Sequence, residues 1–238
     1  MRYVVAIVLL IISGYFIHAF LRQNQSSTTE VSLLIDVTDS SINRPLADEI
    51  ISKFDFTKEN KWNRGGIFRT STISDVSFNN ASEIEITSEN KWLSNEFERE
   101  KKIEKFKEGI SEGLNKIPSQ RKEYSSVYLA ITNSLKLLAE SQSEKRILLV
   151  YSDLMENNKD VSFYQPDTYS RLVTDPDSII NILEKKAALP LLNGIEVDIV
   201  YQPLTTPKDA EFLIVSKFYR EMLESKGAIV NISANLER

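Results

Sequence analysis

The sequence predicts an α/β domain: a mostly parallel sheet of about six strands, with one antiparallel edge strand and helices on both faces. Three observations predict it. Val31 to Val37 and Ile147 to Tyr151 are short, nearly continuous apolar runs, the pattern of strands buried on both faces of a parallel sheet. Stretches of strand character alternate with amphipathic stretches of helical period from residue 31 onward. Both apolar runs end abruptly in carboxylates and hydroxyls, Asp36 with Thr38 and Ser152 with Asp153. Ligands of open α/β sheets bind at that edge, in the crevice between loops leaving the carboxyl ends of the strands.

Before the domain, Tyr3 to Leu21 carries no charged residue and would span about 28 Å as a helix, enough to cross a bilayer core. Residues 1–22 therefore read as an N-terminal transmembrane anchor or signal segment, 23–30 as a polar linker and 31–238 as the domain. Ile17 and Ala19 make a poor cleavage site, which favours the uncleaved anchor. Arg2 and the amino terminus precede the run and Arg22 follows it, leaning the body toward the extracytoplasmic side.

Within the domain, Ser41 to Phe54 has Pro45 early and then Leu46, Ile50, Ile51 and Phe54 at helical spacing. Arg64-Gly65-Gly66 reads as a break before a second strand, Ile67 to Val76. Glu83 to Thr87 alternates apolar and acidic residues, the pattern of an edge strand with one wet face. Trp92 to Ile117 predicts a long amphipathic helix whose apolar stripe includes Trp92, Leu93, Phe97, Ile103, Phe106, Ile110 and Leu114. Glu123 to Glu140 is a further helix with Ser125 and Ser126 at its start, where serine is a common cap. Residues 160–175 read as a polar loop dotted with aromatics, and Ser178 to Leu189 as the crossover helix. The strand Ile195 to Tyr201 follows, then the helix Pro207 to Lys226, with proline in its first turn and Gly227 just past its end. Ala228 to Ile232 closes the sheet.

Composition excludes several chemistries. A net charge of −5 and a pI near 5.2, with no basic stretch, argue against nucleic acid as a partner. Cysteine is absent, which removes thiol catalysis, disulfides and zinc–thiolate sites. The single histidine, His18, lies in the apolar N-terminus, so no histidine base or ligand is available to the domain.

Asp36, Thr38 and Ser40 form D-x-T-x-S, one carboxylate and two hydroxyls at alternate positions of a turning loop, a set able to meet one hard cation. With Ser125 five residues ahead of Ala130, and Tyr151-Ser152-Asp153 closing the second apolar strand, this order resembles the von Willebrand factor A family and its metal-ion-dependent adhesion site (MIDAS). Threonine stands here for the motif's first serine, serine for its threonine, and Leu154 for the glycine after its aspartate. The resemblance implies a three-layer α/β sandwich and a divalent cation, Mg²⁺ or alternatively Mn²⁺ or Ca²⁺, held by Asp36, Thr38, Ser40, Ser125 and Asp153. It also implies a protein partner whose carboxylate completes the metal's coordination, and adhesion rather than an enzymatic activity; the absence of cysteine, the lone histidine and the single N-terminal span fit a bacterial envelope protein. Asp39, Glu156 and Asn157 lie near the same edge, and Ser126 could replace Ser125 as the hydroxyl. Phe163, Tyr164 and Tyr169 are candidate partner contacts.

Two other readings stand beside it. One keeps the fold with a degenerate, metal-free site, so that partners bind other surfaces of a structural scaffold. The other is a Mg²⁺-dependent phosphohydrolase of the haloacid-dehalogenase type with Asp36 as nucleophile. That chemistry wants an aspartate two residues on, where Thr38 stands.

Overall fold

The computed structural model describes residues 26–38, 42, 44–74, 82–117 and 124–236. The apolar run 3–21, with the anchor read from it, lies outside the described residues, as do Asp39 and Ser40. Among the described residues no helix is long and apolar enough to cross a membrane.

Among the described residues six strands, β1 (Ser27–Asp36), β2 (Arg64–Ile73), β3 (Ser82–Ile86), β4 (Lys145–Tyr151), β5 (Ile195–Val200) and β6 (Ile229–Ser233), form one sheet in the order β3-β2-β1-β4-β5-β6. Every neighbouring pair is parallel except β2 with β3. Among the described residues six helices lie between them: α1 (Ala47–Ser52), α2 (Glu96–Asn115), α3 (Val127–Glu140), α4 (Pro166–Thr174), α5 (Pro176–Glu184) and α6 (Thr206–Glu224). The expected fold class, a mostly parallel sheet with one antiparallel edge and helices on both faces, is the observed one.

β1 is central, with β2 on one side and β4 on the other. Its side chains alternate between two cores. Val31, Leu33 and Ile35 pack with Ile50 and Phe54 near α1 and with Ile103, Phe106 and Ile110 of α2. Leu34 packs with Ile131 and Leu135 of α3, Ile179 and Leu183 of α5, and Val215 and Tyr219 of α6. Both faces are dry, so the strand reads as one apolar run rather than an alternation. β5 does alternate: Val197 and Ile199 join the α3/α6 core, while Asp198 on the opposite face accepts from Asn231 Nδ2 at 2.9 Å and pairs with Lys53 at 3.5 Å.

Five local readings are corrected. Arg64, Gly65 and Gly66 do not interrupt the chain; they open β2. A Cβ on Gly65 would stand 2.9 Å from Thr28 Oγ1, and one on Gly66 2.8 Å from Phe54 Cδ1, so these glycines mark close approach inside the sheet. β1 begins at Ser27, within the stretch read as a linker, and Thr29 and Glu30 are already buried. α1 is only six residues long, and its first turn is supported by Glu49, which accepts from the Leu46 N–H. α2 starts at Glu96, because Asn95 caps it by accepting from Phe97 N and Glu98 N. Trp92 and Leu93 therefore precede the helix and, with Phe97, face water instead of the core. Residues 166–174, expected as loop, form α4 with Pro166 as its first residue.

The end of the sheet where β1 starts is held by polar staples. Arg99, fully buried on α2, donates to the carbonyls of Lys61 (2.7 Å), Thr87 (2.7 Å) and Arg64 (2.6 Å), tying α2 to the entry of β2 and the exit of β3. Glu30, also buried, accepts from Arg69, Ser141 and Ser143, which fixes the turn between α3 and β4.

Candidate functional site at the carboxyl edge of β1 and β4

Asp36 is the last residue of β1 and is 3% exposed. An ionised carboxylate so buried needs donors. Oδ1 accepts from the Thr38 N–H at 2.9 Å and from Thr38 Oγ1 at 2.6 Å, a local turn that short polar side chains favour. Oδ2 accepts from Ser152 Oγ at 2.8 Å and, at the limit of a hydrogen bond, from Ser125 Oγ at 3.5 Å. Hydroxyls from three segments far apart in sequence thus converge on one carboxylate.

Each is placed by its own backbone. Ser125 sits just before α3 in an antiparallel bridge with Asn157: its N–H donates to the Asn157 carbonyl at 2.9 Å, and the Asn157 N–H donates back at 2.8 Å. Ser126, in the capping position of α3, makes no side-chain cap. The orphan N–H of Tyr128 in the first turn instead donates to Glu156 at 2.8 Å. Serine capping therefore does not account for these two residues.

Ser152 directly follows β4, is fully buried, and accepts from the Leu154 N–H at 2.9 Å while donating to Asp36. Leu154 has φ +62, the left-handed conformation that a glycine takes without strain. A leucine is kept there because its side chain is wholly buried in the α3/α6 core. That burial, about 1.5–3 kcal/mol, outweighs a left-handed backbone cost of about 1–2 kcal/mol. The left-handed turn is made with leucine.

Of the five predicted ligands, the structure brings Asp36, Thr38 and Ser125 together. Ser40 lies outside the described residues. Asp153 stands at the same edge, where its Oδ1 accepts from the Met155 N–H at 3.0 Å. It lines a small depression of about 40 Å³ with Tyr164, Tyr201, Lys208 and Phe212. Sequence reasoning missed Ser152 as a partner of Asp36, although the matching edge positions of β1 and β4 were a usable signal. It also missed how Glu156 acts: fully buried, it accepts from Tyr128 N, from Tyr219 Oη at 3.4 Å and from Asn158.

The chemistry suits a hard cation. The hydroxyl protons of Thr38 and Ser125 are spent on Asp36, so the lone pairs of those oxygens remain available to a metal. All donors are oxygen, the preference of Mg²⁺, Mn²⁺ and Ca²⁺. Among the described residues no three His, Cys, Asp or Glu side chains gather as a carboxylate-rich cluster. Any ion here would be met largely by hydroxyls and water.

Burial pushes the Glu156 carboxyl up to about 7, against the hydrogen bonds from Tyr128 and Asn158 that favour its charge. The folded chain thus holds a proton that the unfolded chain releases near its ordinary value of 4.5. The associated stability is complete below about pH 4.5 and is lost as pH rises to 7, by up to about 3 kcal/mol. Glu156→Gln cannot ionise and should flatten this slope. Denaturant unfolding of both proteins at pH 5 and pH 8 reads it, and equal slopes would contradict the assignment.

The class of protein this defines is an open α/β-sheet domain with a hydroxyl-lined carboxylate at its ligand edge. No protein-family model matches the chain, and no curated protein matches it. Among solved structures it is similar to an aerotolerance-related membrane protein from Bacteroides fragilis NCTC 9343 with multiple mutations to serines. Identity there is 13%, over 86% of this chain and 92% of that one, with a TM-score of 0.37. It is also similar to proximal thread matrix protein 1 from the mussel byssus, with a zinc occupied MIDAS motif. There identity is 14%, over 86% of this chain and 42% of that one, with a TM-score of 0.35. Likenesses this loose say nothing about function, which has to come from this chain's own side chains.

Proposed function

We propose that this chain is a membrane-tethered domain of the von Willebrand factor A type that binds a protein partner through a divalent cation at the Asp36 edge. Asp36, Thr38, Ser40, Ser125 and Asp153 would hold the ion, with Mg²⁺ or Mn²⁺ the best match to a hydroxyl-rich oxygen set. The ion would supply an open coordination position for a partner's carboxylate. The observation that carries this reading is the convergence of Thr38, Ser125 and Ser152 on the buried Asp36. A core under apolar selection alone would not gather four polar groups at one edge, from the ends of two buried strands and the start of a helix. The depression beside Asp153, with Tyr164 and Lys208 on its rim, is where partner specificity would be read. The tether would be the uncharged run 3–21, with Arg2 and the amino terminus before it placing the domain on the extracytoplasmic side.

Calorimetric titration of Mg²⁺ and Mn²⁺ into the full chain in detergent, beside its Asp153→Ala variant, tests this. Binding in the micromolar to millimolar range, weakened at least about tenfold in the variant, is the expected result. An unchanged isotherm in the variant, or no heat at millimolar metal, would turn the reading toward a scaffold that uses other surfaces.

A further inference from the structure

Trp92, Leu93 and Phe97 are 83%, 87% and 70% exposed, whereas the chain's other tryptophan, Trp62, is 8% exposed. Three large apolar side chains within six residues, all turned to water, are the kind of exposed apolar cluster that marks an interaction surface. Their position in the fold says what covers it. The Glu89 N–H donates to the Trp62 carbonyl at 2.6 Å, and Arg99 bonds the carbonyls of Lys61 and Arg64. Arg64 in turn donates to Ser27 Oγ at 2.8 Å, and the Ser27 N–H donates to Asn63 O at 2.9 Å. The patch is therefore strapped to the end of the sheet where β1 starts.

Between Ser27 and the uncharged run Tyr3 to Leu21 lie only the five residues Arg22 to Ser26. Fully extended, they reach about 18 Å. A run that crosses a bilayer would hold this end of the sheet against the headgroups, with the patch beside it. Charge does not oppose the contact: Glu96 and Glu100 share Lys61 at 2.7 Å and Glu89 pairs with Lys102 at 2.6 Å, while Lys91 and Lys101 in the same stretch offset the remaining negative charge, Glu98 included. Tryptophan, with an apolar ring and one N–H donor, is suited to the headgroup level.

We propose that Trp92, Leu93 and Phe97 are a membrane-facing foot that enters the interfacial layer of the bilayer holding the N-terminal segment. The proposal rests on reading residues 1–22 as an uncleaved anchor. Covalent tethering raises the local concentration of lipid surface, so three side chains are enough where a free domain would need more. The foot also orients the site. β1 runs from Ser27 beside the membrane to Asp36, which places the carboxylate edge about 30 Å out and facing away from the lipid, toward a partner.

The two tryptophans make the test spectroscopic. The full chain is reconstituted into phosphatidylcholine vesicles, with and without brominated acyl chains that quench tryptophan on contact. Brominated lipid should remove about half of the emission of the native chain and almost none from Trp92→Phe, which retains only the buried Trp62. The double variant Leu93→Ser, Phe97→Ser should reduce the quenching about twofold while floating with the vesicles and unfolding at the native temperature. A chain that floats with the vesicles yet emits identically in both lipids overturns the foot and leaves the anchor standing. A chain that does not float overturns the anchor, and the foot with it.

Discussion

Replacing Arg99 by methionine should lower the free energy of unfolding by about 3–5 kcal/mol, the largest stability loss expected from a single side chain outside the apolar cores. Methionine fills much of the same volume, so the effect isolates the guanidinium. Three carbonyls, those of Lys61, Arg64 and Thr87, would lose charged donors at 2.6–2.7 Å around a side chain that is itself fully buried, and of the three bonds the one to Lys61 is wholly buried. Leaving each acceptor unmet costs about 1–3 kcal/mol, while the desolvation already spent on the buried cation is recovered in part. Lys102→Met, which removes a half-exposed partner of Glu89 on the same helix, should cost less than about 1 kcal/mol. Urea unfolding of the three proteins decides it, and a loss below about 1 kcal/mol for Arg99→Met would mean that solvent replaces the staple.

Asp36→Ala should abolish cation binding, by at least about 100-fold, and also cost about 2 kcal/mol of stability. The Thr38 N–H and the hydroxyls of Thr38, Ser125 and Ser152 all point at a carboxylate that would no longer exist. Asp36→Asn separates the two effects. Its amide oxygen still accepts from Thr38, and the Ser152 hydroxyl can rotate to accept from the amide, so stability should fall by less than about 1 kcal/mol while the charge that holds the ion is gone. Thermal unfolding with and without 5 mM Mg²⁺ reads both at once, since a ligand that binds only the folded state raises the midpoint by mass action, in this case by roughly 2–4 °C per kcal/mol. A native chain indifferent to Mg²⁺ would remove the metal from the proposed function. An Asp36→Asn chain that still responds would move the site elsewhere.

Where the sequence was informative, local chemistry and tertiary placement agreed. The apolar run 31–37 became the central strand because both its faces are buried, and Asp36 ended it because a carboxylate belongs at the edge where donors and solvent meet. Glu83 to Ile86 became the antiparallel edge strand its alternation required. Pro207 stands in the first turn of α6, and Gly227, at φ +95, follows its last turn. Where the sequence misled, a distant partner had overridden a local rule. The glycines at 65 and 66 signal a break to any local reading, yet Thr28 and Phe54 approach too closely for a side chain, and the strand passes through. Trp92, Leu93 and Phe97 keep a helical spacing, but Asn95 caps the chain two residues after Leu93 and turns all three outward.

The sequence alone therefore determined the order of the strands along the chain and of every helix but α4, the parallel sheet with its antiparallel edge, and the identity of Asp36 and Thr38 as an edge pair. Those properties follow from side-chain periodicity and from contacts between residues a few positions apart. Only the tertiary structure decided that Ser152 joins Ser125 on Asp36, that Glu156 rather than a serine meets the first turn of α3, and that Arg99 is a buried staple rather than one more surface charge. Each of these depends on a polar group's finding its partner tens of residues away, and no local pattern encodes a hydrogen bond that forms only when two strands and a helix are brought to the same edge.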